Sequence, residues 1–143
     1  MCRMFARLAP SHRLAPSIDP EWISDDPADV RRYEDDPLID KGKLRAGTAI
    51  TLLDAMHELI SKESTLSVPF LLFHADSERV TDIQGSKRMY EKCSSKDKTL
   101  EIVHSRTHEI MLHAKHGPVV LALAGQWILT RSHVVQLHHP RAG

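Results

Sequence analysis

Apolar residues recur at helical spacing between Gly47 and Lys62, where Ile50, Leu52, Leu53, Met56, Leu59 and Ile60 are interleaved with Asp54, Glu58 and Lys62. That spacing predicts an amphipathic helix with one face turned to a core. The pattern then changes. "VPFLLF", residues 68–73, is a continuous apolar run of aromatic and branched side chains. Continuity rather than alternation predicts a strand covered on both faces, as in a parallel sheet. After an acidic loop, Asp82 is placed to cap a helix running through Met89 and Tyr90 to about Cys93. "TLEIV", residues 99–103, predicts a second strand with Leu100, Ile102 and Val103 inside. A histidine-bearing polar turn leads to Pro118, which suits the first turn of a final helix through Trp127 and Leu129. Strand, loop, helix, strand, loop, helix is one right-handed crossover unit with its closing helix, so the fold class is α/β.

Residues 1–46 follow a different rule. Pro20, Pro27 and Pro37 punctuate an aspartate-rich stretch that permits only short helices, one starting near Pro27 with Ser24 or Asp25 as cap and running through Val30 and Tyr33. Arg3, Arg7 and Arg13 precede the first acid, Asp19, in the manner of a mitochondrial presequence, but Pro10 and Pro16 break any long amphipathic helix there. The segment reads as an exposed basic stretch from inside a larger parent sequence. Three zones result: 1–46, a core at 47–131, and a flexible tail at 132–143 that holds His133, His138 and His139.

Composition narrows the partners. The 143 residues, 41% apolar and 27% charged, suit one globular domain. Basic and acidic residues balance at 19 each, so no net field draws in nucleic acid or an anionic membrane. No apolar segment reaches the roughly 18–20 residues of a membrane span. Cys2 and Cys93 have no CxxC partner and read as free thiols in a reducing, cytoplasmic setting.

In open parallel sheets, chemistry gathers at the carboxyl ends of the strands. Here those ends carry "HADSERVTD" and "HSRTHE". Adjacent parallel strands would set the two loops side by side, where a carboxylate from the first can orient an imidazole from the second. Blander readings exist for the same residues. Glu78 could be a solvated loop acid paired with Arg79 or Arg106, Asp82 is a helix cap, and His74 is a satisfied strand-end histidine. No metal site or cofactor is expected: His108, Glu109 and His113 read H-E-x-x-x-H, one residue longer than the zinc-protease spacing.

"VPFLLFHADSERVTD", followed by "GSKRMYEKCSSKDKTLEIV" and "THE", resembles the carboxyl-terminal half of the monoacylglycerol lipase family of serine hydrolases and its lysophospholipase-like relatives. Upstream, "DDPLIDKGKLRAGTA" looks like the end of that family's cap and the helix leading back to the sheet. The resemblance implies a partial α/β-hydrolase fold: carboxyl-terminal parallel strands with flanking helices, and a cap remnant in residues 1–46 whose Trp22, Ile23 and Tyr33 would help cover an acyl site. The family's His-Gly-x-x-Asp-x-x-x-Asp pattern, matched at His74 and Asp82, puts Glu78 on the position of the triad acid, with Asp76 as the alternative. Matching "DKTLEIV" puts the triad histidine on His108, 30 residues later (108 − 78). The chain departs from the pattern at Ala75, where the family prefers glycine, and at His104, Ser105 and Arg106, where a glycine is usual before the histidine.

The nucleophile elbow G-x-S-x-G is missing: none of the six glycines flanks a serine in that pattern. The resemblance therefore implies a truncated serine hydrolase of monoacylglycerol lipase type. Its full-length form would cleave an acylglycerol or another acyl ester, while this chain alone would be inactive. The alternative is a non-catalytic interaction module or pseudo-enzyme fragment, associating through an unpaired sheet edge.

Overall fold

A computed structural model of the chain describes residues 4, 6, 8–15 and 17–137. The elements are β1 (Arg13–Ala15), α1 (Pro20–Ile23), α2 (Pro27–Asp35), β2 (Leu44–Arg45), α3 (Ala46–Lys62), β3 (Phe70–Ala75), α4 (Ile83–Lys92), β4 (Lys98–Val103) and α5 (Gly117–Leu137). A single 3-10 turn, Glu63–Thr65, ends α3.

The centre is the parallel pair β3–β4, in register from Phe70 opposite Lys98 to Ala75 opposite Val103. β3 starts two residues later than the apolar run and takes in His74 and Ala75. Covering is thinner than the run predicts: Phe70 to His74 are half-buried, and Ile102, expected inside, is 43% exposed. Helix α4 makes the crossover, capped as expected by Asp82, whose carboxylate accepts the Gln84 N–H at 2.9 Å. Lys98 at the start of β4 donates to the carbonyls of Tyr90 and Cys93 at the end of α4, at 2.6 and 3.1 Å, which fixes helix against strand. The buried Glu63 reaches Arg88 at 3.2 Å and Lys92 at 3.5 Å, joining α3 to α4.

Several expectations are corrected. Helix α2 does start at Pro27, but its cap is Asp26, which accepts the Ala28 N–H at 2.8 Å. With proline at the first helical position, the capping place falls on the residue just before it. Ser24 is buried and braces that turn instead, accepting from the Asp26 N–H and donating to Asp29. Helix α5 runs to Leu137, so 132–137, expected as tail, continue it; the absence of glycine and proline from Gln126 to Leu137 lets the helix propagate. Residues 138–143, with His138 and His139, lie outside the described residues, as do Arg3 and Arg7. Arg13 is not a free basic residue: it forks onto Asp40 at 2.9 and 3.0 Å. The short antiparallel pair β1–β2 joins the amino-terminal stretch to the start of α3. Finally, the apolar face of α3 is not buried: Leu52, Leu53, Met56, Leu59 and Ile60 are all exposed.

Candidate active site

The β3–β4 ladder does not stop at the strand ends. The Asp76 N–H donates to the Val103 carbonyl at 3.0 Å and the Ser77 N–H to the Ser105 carbonyl at 3.1 Å, zipping the two loops together. Glu78 and His108 meet across this seam, with Oε2 of the first 3.4 Å from Nδ1 of the second. The His108 side chain is 44% exposed and stands on the wall of an open, mostly apolar cleft of about 490 Å³, lined also by Leu71, Phe73, Ile110, Met111 and Leu112. With Nδ1 turned to the acid, Nε2 is the nitrogen left for a hydroxyl.

Glu78 is not the solvated loop acid of the blander reading, nor is it paired with Arg79 or Arg106. Its side chain is 2% exposed. Oε2 accepts the Val80 N–H at 2.6 Å, and Oε1 accepts the Thr81 N–H at 2.8 Å together with the Thr81 hydroxyl. Burial pushes the Glu78 carboxyl up, but the Thr81 hydroxyl, the two amides and the charge of nearby His108 outweigh it and hold the group below its ordinary value. It is therefore ionised at neutral pH, as an acid that steadies an imidazolium must be. Arg79 instead lies over the Trp22 ring at 6.0 Å, and Arg106 faces Asp25 at 3.6 Å.

Asp76 sits in the same loop but serves another histidine. Its Oδ2 is 2.7 Å from Nδ1 of the exposed His104, and Oδ1 accepts the Ser105 N–H at 3.2 Å. The His104 hydrogen bond holds Asp76 below its ordinary value. The histidines of the "HSRTHEIMLH" stretch are thus dispersed, His104 to Asp76, His108 to Glu78 and His113 to Asp25 at 2.6 Å.

The two places where a glycine might be expected need none. No described residue has a positive φ. Ala75 ends β3 and is buried, and Ser105 closes the turn before His108 with its own hydroxyl, which accepts the Thr107 N–H at 3.2 Å. Thr107 is fully buried beneath it.

One feature had no sequence signal. The carbonyls of Trp22 and Ile23, at the end of α1, accept the N–H groups of His108 and Glu109 at 2.8 and 3.0 Å. The amino-terminal zone thus straps the His108 loop through its backbone, where side-chain identity leaves no mark. The Trp22, Ile23 and Tyr33 side chains line neighbouring hollows rather than the cleft beside His108.

A parallel strand pair with a carboxylate and an imidazole at its adjoining tips is the carboxyl-terminal architecture of an α/β-hydrolase. Residues 1–115 match the family model described as serine aminopeptidase, S33, and the chain belongs to that family. It is 27% identical over 130 residues to the monoacylglycerol lipase of Mycolicibacterium smegmatis, covering 91% of this chain and 46% of that protein. It is 34% identical over 99 residues to the Homo sapiens monoglyceride lipase, covering 69% of this chain and 32% of that protein. The crystal structure of Paleococcus ferrophilus monoacylglycerol lipase superposes with a TM-score of 0.80 at 25% identity, over 90% of this chain and 50% of that one. The chain thus spans half or less of the length of each of these proteins.

Proposed function

We propose that these residues supply the acid and base of a serine ester hydrolase of monoacylglycerol lipase type. The reading rests on the 3.4 Å approach of Glu78 to His108 at the tips of two adjacent parallel strands, beside an apolar cleft. In the assembled site, His108 Nε2 would take the proton of a serine hydroxyl as that oxygen attacks the ester carbonyl of an acylglycerol or related acyl ester. It would then pass the proton to the departing alcohol, leaving an acyl-serine that water hydrolyses by the same route. Glu78 stays ionised throughout and stabilises the imidazolium. Asp76 is the weaker candidate for that role because His104 occupies it.

The serine is not among these residues. Removing the nucleophile from a serine hydrolase costs on the order of 10⁶ in turnover, so this chain alone is expected to be inactive. A second reading, an interaction module, draws on the exposed apolar faces of α3 and α5 and on the two open edges of the β3–β4 pair. The occupant that fits is a chain carrying the remaining parallel strands with a G-x-S-x-G elbow, whose own faces would be the apolar complement. A buried free thiol at Cys93 suits work in the cytoplasm.

The test is a fusion of this chain to the amino-terminal half of the Paleococcus ferrophilus lipase, probed with a fluorophosphonate. Labelling is expected in the fusion, at least about 100-fold slower in its His108→Ala variant, and absent in this chain alone. Equal labelling of the fusion and its His108→Ala variant, or labelling of this chain by itself, would overturn the reading.

A further inference from the structure

Glu78 has imidazoles on both of its oxygens. His108 faces Oε2, while His74 Nε2 lies 3.1 Å from Oε1. His74 belongs to β3, four residues before the acid, and its side chain is nine-tenths buried. Its other nitrogen, Nδ1, is 2.7 Å from the Ser86 hydroxyl on the second turn of α4. Although so close to the carboxylate, His74 Nε2 makes no hydrogen bond of good geometry and is a buried polar atom aimed at the site without a partner of its own. The proposed hydrolysis uses neither His74 nor Ser86.

We propose that His74, braced by Ser86, is a positioning residue for the acid: it fixes Oε1 of Glu78 and thereby leaves Oε2 as the oxygen presented to His108. The inference rests on the acid–base reading above. Its logic is one of tautomers. A lone pair facing a buried carboxylate is repelled, whereas an N–H facing it is attracted, so the neutral ring carries its proton on Nε2. Nδ1 is then an acceptor, and the Ser86 hydroxyl must donate to it. The series runs Ser86 O–H to His74 Nδ1, His74 Nε2–H toward Glu78 Oε1, Glu78 Oε2 to His108 Nδ1. Buried groups of this kind, which orient the residues in contact with a reacting centre, set its geometry without touching it. A glutamate profits from the arrangement because it has one more rotatable bond than the aspartate usual at this place, and so more orientations to suppress.

The experiment is an NMR reading of the two His108 ring nitrogens in the intact chain at one fixed, mildly alkaline pH, their signals assigned by loss in His108→Ala. A carboxylate held against Nδ1 keeps the proton of the neutral ring on that nitrogen, and the nitrogen shifts report which of the two carries it. Glu78→Ala is the reference and is expected to lose that preference. Ser86→Ala removes only a hydroxyl and favours the helix. It is expected to lose roughly half of the preference, and Ser86→Thr, which keeps the hydroxyl, to restore it. His74→Phe should match or exceed the effect of Ser86→Ala. An Nδ1–H preference unchanged in folded Ser86→Ala, while Glu78→Ala abolishes it, would overturn the positioning role alone. No loss in Glu78→Ala would remove the acid–base reading on which it stands.

Discussion

The two ends of the molecule are finished to different degrees. At the carboxyl tips of β3 and β4, both oxygens of Glu78 are satisfied, Asp76 is paired, and the loops are laced by backbone hydrogen bonds. On α3 Leu52, Leu53, Met56, Leu59 and Ile60 stand 43–69% exposed, and Val119, Leu121, Ile128 and Leu129 of α5 are exposed as well. The contrast separates two kinds of information. The contact of Glu78 with His108 is built from residues close in sequence or joined by one strand pair, whereas the apolar faces of α3 and α5 stay uncovered among the described residues.

The largest effect should come from the uncovered side. Exchanging Leu53, Met56 and Leu59 for Gln, Glu and Lys leaves good helix formers in place while removing a contiguous apolar stripe. Binding of a hydrophobic dye is expected to fall on the order of tenfold and concentration-dependent sedimentation to disappear. Helical circular dichroism should persist. If dye binding and sedimentation are unchanged, α3 is not a contact face and the contrast collapses on that side.

Glu78→Gln attacks the finished end. The amide NH₂ would have to face one of the donors that now serve the carboxylate, leaving a buried clash of donors worth about 1–3 kcal/mol. The pH dependence follows from the direction of the shift. Glu78 is held below its ordinary value of 4.5 in the folded chain. Its contribution is thus fully present above that value and is lost as pH falls through the lowered one. Asp25, Asp40 and Asp97 are lowered too and act with the same sign, so the difference between variant and parent isolates Glu78. In urea unfolding that difference should be constant near neutrality and shrink as pH falls below 4.5; a gap that holds steady under acid would show that the charge of Glu78 stabilises nothing.

The same division governs what could be read from the sequence. β3, α4, β4 and the Asp82 cap follow from local apolar patterning and cap chemistry, and parallel pairing then places Glu78 near His108. The family pattern chose Glu78 over Asp76 as the first candidate, and the two now have distinct partners. Three things were not legible. The Asp26 cap was missed because serine and aspartate at 24–26 all suit the role, and only proline's place as first helical residue decides among them. The strap from Trp22 and Ile23 uses carbonyls that every residue possesses. The exposure of the α3 face cannot be seen in a periodicity that predicts where apolar side chains point but not what meets them.

Gly117 offers a smaller test where the two regions join, between the His108 loop and α5. A Cβ there would lie 2.5 Å from the Met111 carbonyl oxygen, a backbone atom that cannot swing aside as a side-chain tip would. Gly117→Ala is expected to cost about 1–2 kcal/mol, the strain exceeding the gain in helix propensity. Because Met111 lines the cleft, the His108 ring signal should shift with it. Stability equal to or above that of the parent would mean the loop yields freely.

The smallest effect should be at the Asp82 cap, and it separates support for α4 from support for the acid. Asp82→Ala removes the acceptor of the Gln84 N–H and should cost about 1 kcal/mol. Asp82→Asn keeps an acceptor and should lose only the attraction of a negative charge for the helix amino terminus, a few tenths of a kcal/mol at moderate salt. Neither change should alter which ring nitrogen of His108 carries the proton. The cap acts on the first turn of α4, whereas the oxygens of Glu78 accept from Val80 and Thr81, with His74 close behind them. A ring proton that follows the cap would mean that Ser86 is placed by the helix start and that the finished end is less self-contained than its hydrogen bonds imply.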